Sequence, residues 1–180
     1  MDRARVRELA EAGLPGFTVG FIAGTVAGFM AMVVGQPIGW AFVGVLTLGL
    51  PLGLLGAGYS VLLALGLVRI GGFAPAALFW LFGFPLARLL QEVLTRFVLT
   101  GTPGFPADLL GFVAYQGLIS AGFAFGFLWL HERIAPQVWR KQAEHNVVSA
   151  GAYRRYSHYA KLMYDQRQAR SRRREASKSR

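Results

Sequence analysis

Long apolar runs separated by short polar breaks set the rhythm of this chain. Residues 2–12, DRARVRELAEA, mix charged and apolar positions at helical spacing and predict a short helix. Asp2 stands as its cap, with Arg7 and Glu11 one turn apart. The stretch GLPG at 13–16 predicts its end, so residues 1–16 read as an N-terminal interfacial segment. The first fully apolar run is 17–34. Eighteen helical residues rise about 27 Å, close to a hydrocarbon thickness of about 30 Å. After GQPIG at 35–39 a second run spans about 40–68, with Pro51 near its middle, predicting either a kinked helix or two half-helices. The third, about 73–99, holds Pro85 and turns amphipathic at 88–99, RLLQEVLTRFVL. It reads either as one long helix or as a shorter span followed by an interfacial helix. The loop TGTPGFP at 100–106 leads into a fourth run, about 107–130, whose start is marked by Pro106 and Asp108.

The pattern therefore predicts an all-α membrane protein. A four-transmembrane-helix bundle at 17–130 has an interfacial segment before it, a basic helical tail at 131–170 and a disordered basic terminus at 171–180. Composition agrees. Charged residues make up 16% of the chain, well below the roughly 25% of soluble domains. A secretory leader is not expected, because the first apolar run exceeds the usual h-region of about 7–15 residues. The absence of cysteine excludes disulfides, thiolate metal sites and thiol nucleophiles.

Charge adds the topology. From residue 131 onward there are thirteen Lys/Arg against four Asp/Glu, nine of the ten excess positive charges. With four spans, Arg3, Arg5, Arg7, Arg69 and the whole tail share one side, while the 35–39 and 100–106 loops carry no Lys or Arg. The positive-inside rule then puts both termini on the cytoplasmic side, or the equivalent inner side of an organelle.

Within the spans, Gly16, Gly20, Gly24 and Gly28 recur at every fourth position. Lipid tails are as apolar as leucine, so membrane helices gain from close backbone packing rather than from a hydrophobic effect. Such a row is a helix-packing groove, and the four-residue spacing returns at Gly49 and Gly53 and at Gly122 and Gly126. Arg88, Glu92 and Arg96 stand one turn apart on the third run, and Gln116 adds an amide to the fourth. Together they make a candidate polar membrane site, or else arginines reaching headgroups at the interface. The histidines, His131, His145 and His158, are placed at membrane edges or in the tail and predict no haem pair. No metal-ligand cluster, phosphate loop or nucleophile motif is present, so neither a catalytic residue nor a cofactor is expected.

The tail GAYRRYSHYAKLMYDQRQAR, 151–170, separates Tyr153, Tyr156 and Tyr164 from Arg154, Arg155 and Lys161 on opposite helix sides. These residues predict a docking helix for anionic lipid headgroups or for a groove on another subunit, ahead of nucleic acid. The functional expectation is a non-catalytic accessory subunit of a larger membrane complex, with homo-oligomers also compatible. The alternative is a small transporter or channel component using Arg88, Glu92 and Gln116.

Overall fold

The computed structural model describes residues 2–178. Among them run five α-helices: α1 (Arg3–Val33), α2 (Ile38–Ala64), α3 (Phe73–Thr100), α4 (Leu109–Gln142) and α5 (Val147–Lys178). The first four are long and apolar enough to cross a membrane. They pack in a ring in which α1 touches α2 and α4, and α3 touches the same two. Neighbours are antiparallel: the α1–α2 seam pairs Gly13 with Ala57 at one end and Gly28 with Ala41 at the other. The fifth helix folds back over the end where α1 begins and α2 and α4 finish.

Several boundaries differ from those the sequence predicts, each for a physical reason. No separate helix ends at GLPG, because α1 runs unbroken through Pro15. Proline removes the N–H that would bond to the carbonyl four residues back, that of Glu11. Gln142 Nε2 donates to this Glu11 oxygen at 2.9 Å, so a side chain from α4 fills the gap that the proline leaves. Nor does the second or third run break. Pro51 lies inside α2, and Pro85 lies inside an α3 that continues to Thr100, which decides for the single long helix.

The fourth helix starts at Leu109 with Asp108 as its cap, accepting from Gly111 N–H at 2.8 Å. It continues to Gln142, so residues 131–142 belong to the bundle and not to the tail. At about 1.5 Å per residue its 34 residues reach about 51 Å, well past a hydrocarbon core. The tail helix proper begins at Val147, where Asn146 Oδ1 accepts from Ser149 N–H at 3.0 Å. It runs to Lys178. Arg, Glu, Ala and Lys, all good helix formers, make up six of the eight residues at 171–178.

The core is aromatic and lies where α2, α3 and α4 meet. Trp80 is fully buried, with its ring 4.6 Å from both Phe123 and Phe127. Tyr59 stands edge-on to Phe127 and His131. Burying large rings at these edge-to-face angles adds about 0.5–1.5 kcal/mol per pair beyond the area buried.

Candidate functional site

The glycine row is where α1 and α2 approach most closely. A Cβ on Gly16 would stand inside the Gly56 carbonyl, one on Gly20 inside that of Leu52, and one on Gly24 against the Gly49 backbone. At Gly28 it would strike the Val45 side chain. The facing glycines of α2 serve a second purpose. Phe17 lies over Gly53 and Phe21 over Gly49, each ring about 3 Å from where a Cβ would be. One helix thus supplies the groove and its neighbour the flat face.

Gly122 and Gly126 do not join this seam. Nothing lies within 4 Å of a Cβ built on either. They sit on the outer face of α4 beside the exposed Leu118, Phe125 and Trp129. Spacing marks a groove but not which way it faces: of the eight packing glycines read from the sequence, these two meet no other helix among the described residues.

At the end where α1 begins, polar side chains from α2, α4 and the α4–α5 turn hold α1 by its own backbone. Trp139 Nε1 donates to the Ala12 carbonyl at 2.9 Å. Asn146 Nδ2 donates to the Glu8 carbonyl at 2.9 Å and to the Glu11 carboxylate at 3.0 Å. Gln142 is fixed in turn by Ser149, whose hydroxyl donates to its Oε1 at 2.8 Å. The Glu11 carboxylate also takes Arg7 at 2.9 Å. Just inside this clasp, Gly16 N–H donates to Ser60 Oγ at 2.9 Å, and Ser60 Oγ lies 2.6 Å from His131 Nε2.

His131 is fully buried between α2 and α4. Ser60 Oγ thus accepts from Gly16 and shares a hydrogen bond with Nε2 whose direction follows the ring tautomer, while Nδ1 is buried with no partner among the described residues. A serine paired with a histidine has the elements of an activated nucleophile. Here the Oγ is held by a backbone amide and both side chains are shut off from solvent, so the pair acts as a bond between three helices. Sequence reasoning missed Ser60, Trp139, Gln142 and Asn146. The signal available was Pro15, whose orphaned carbonyl four residues back requires a donor.

The charged triad on α3 is not a single site. Arg88 lines a pocket of about 370 Å³ between α1, α2 and α3, together with Gln36, Trp40, Gln91 and Thr95. Neither Glu92 nor Gln116 lines it. Gln116 is buried on α4, and Arg96 turns outward to lie against Gly104. Among the described residues no ion pair joins Glu92 to either arginine. Thr95 bonds across to Thr47 on α2 at 2.7 Å, and Gln91 Oε1 is buried without a hydrogen-bond partner.

The tail residues divide likewise. Arg155 donates to the Leu63 and Ala64 carbonyls, so it caps the open end of α2. Tyr156 is buried against Trp139 and donates to Glu132 Oε1 at 2.9 Å, which also takes Gly71 N–H at 3.2 Å. Burial, and then the Glu132 carboxylate, push the Tyr156 phenol above the usual tyrosine range, so it stays a donor. These two residues dock on their own bundle and are not free for an outside partner. Arg154, Lys161 and Tyr164 remain exposed and Tyr153 half-buried. Between α4 and α5 lies a groove of about 630 Å³, lined by Glu132, Tyr153, Tyr156, Tyr159, Tyr164 and Arg167, among others.

In comparisons with known proteins, no family model matches the chain, and no curated protein or solved structure matches it.

Proposed function

We propose that this chain is a non-catalytic accessory subunit of a larger integral-membrane assembly, with both termini on the cytoplasmic or equivalent inner side. The observation that carries this reading is the bare pair Gly122 and Gly126 on the outer face of α4. The same spacing on α1 takes a neighbouring helix backbone to backbone, and on α4 nothing among the described residues does so. A transmembrane helix of another subunit fits that groove, since close packing is what drives association in lipid. Arg3, Arg5, Arg7, Arg69 and the arginines of α5 supply the charge bias that sets the orientation. Anionic headgroups suit the exposed Arg154, Lys161, Arg170, Arg172 and Arg174, at about 1 kcal/mol for each basic residue near the surface. Co-purification from the native membrane in a mild detergent tests the role. Stable association with other subunits that is lost in Gly122→Leu supports it, whereas an unchanged co-purification pattern in that variant overturns it.

One observation favours a second reading, a transport component. The Arg88 pocket holds a cationic side chain and an unsatisfied amide oxygen between three spans, and such groups inside a membrane default to a functional role. Flux of small anions into liposomes, abolished by Arg88→Gln, supports that reading; flux indifferent to Arg88→Gln removes it.

A further inference from the structure

The groove between α4 and α5 combines three features. Its walls are tyrosine rings, contributed by Tyr153, Tyr159 and Tyr164 beside the docked Tyr156. It contains one carboxylate, Glu132, which among the described residues pairs with no cation. One Glu132 oxygen accepts from Tyr156 and Gly71, which holds the side chain in place without neutralising it. The groove also includes a cation, Arg167, on the free half of α5. Aromatic faces around a fixed carboxylate favour an alkylammonium ion, which the rings attract through their quadrupoles and the carboxylate by charge. A guanidinium beside them favours a phosphate.

The level of the groove says where such a zwitterion comes from. One helical face away from Glu132, Arg133 lies over the exposed Trp129 ring at 4.1 Å. A tryptophan with an arginine one turn on is the mark of a membrane–water interface. Glu132 and Pro136 stand at that same height on α4. We propose that this groove binds the headgroup of a zwitterionic phospholipid. Its ammonium sits against Glu132 and the tyrosines, its phosphate on Arg167. The lipid thereby ties α5 to the membrane surface independently of any partner subunit.

The full chain, purified in a maltoside detergent, is titrated with short-chain phosphatidylcholine, short-chain phosphatidylglycerol and free phosphocholine, with binding read by native mass spectrometry. Phosphatidylcholine is expected to bind about tenfold more tightly than phosphatidylglycerol, and Glu132→Gln to remove that preference. The glutamine keeps an oxygen for Tyr156 and Gly71, so the melting temperature stays unchanged. Tyr164→Ala, at an exposed wall position, weakens phosphatidylcholine binding about threefold with the fold intact. Equal binding of the two lipids, or a preference that survives Glu132→Gln, overturns the proposal. Phosphocholine bound as tightly as the lipid also overturns it, by assigning the groove to a free solute.

Discussion

Two contacts hold α1, and they use opposite chemistry. Along much of its length it meets α2 through glycines, backbone against backbone at Gly16, Gly20 and Gly24. At its first turns it meets α2, α4 and the α4–α5 turn through Ser60, Trp139, Gln142 and Asn146, each bonded to an α1 backbone group. The glycine seam works because nothing protrudes, and the clasp works because long polar side chains do. The difference follows the environment. In hydrocarbon every backbone group must be satisfied within its own helix, so close approach is the available gain. Where Pro15 breaks that rule, the Glu11 carbonyl needs a partner, and the clasp supplies it. The polar contacts thus gather at the one place where the first helix cannot satisfy itself.

The largest way to break this comparison is Gly24→Leu. The new side chain has no room against the Gly49 backbone, so α1 and α2 must separate, at more than about 3 kcal/mol. Denaturant unfolding in detergent is expected to show a collapse of stability, and a variant as stable as the parent would dissolve the seam as described. Ser60→Ala attacks the clasp from within. It leaves Gly16 N–H and His131 Nε2 buried without their partner, a loss of about 1–3 kcal/mol by the same measurement.

A smaller effect sharpens the tail's part. Removing one hydroxyl in Tyr156→Phe takes a donor from Glu132 and costs about 1 kcal/mol. Because the folded phenol is raised above its unfolded value of about 10, its contribution is fully present below that pH. It is lost as pH rises through the folded value. Docking of α5, followed by hydrogen exchange, is therefore stable up to about pH 10 and weakens above it, whereas Tyr156→Phe docks more weakly and lacks the alkaline loss. The smallest effect on stability belongs to Gly122→Leu, within about 0.5 kcal/mol, because the new side chain meets open space. Gly24→Leu and Gly122→Leu, identical in sequence terms, then differ by more than about 2.5 kcal/mol.

Sequence alone determined the helical class and the four apolar helices, because hydrocarbon thickness and the need for internal backbone bonds leave few alternatives. It also determined that glycines at every fourth position make a groove. What only the tertiary structure decided is the direction each groove faces. Gly20 and Gly122 obey the same local rule, and their neighbours come from other helices. Helix ends at Pro15 and residue 131 were illegible for the same reason. Gln142, far along the chain, makes up for the bond that Pro15 loses, and α5 covers the end of α4 past any apolar count. The triad Arg88, Glu92 and Arg96 read as one unit along the chain. In three dimensions only Arg88 of the three lines the pocket between α1, α2 and α3, because its companions there, Gln36 and Gln91, are set by how three helices cross. Local spacing tells which residues share a helix face. The partner of that face is a long-range fact, and it is fixed by packing.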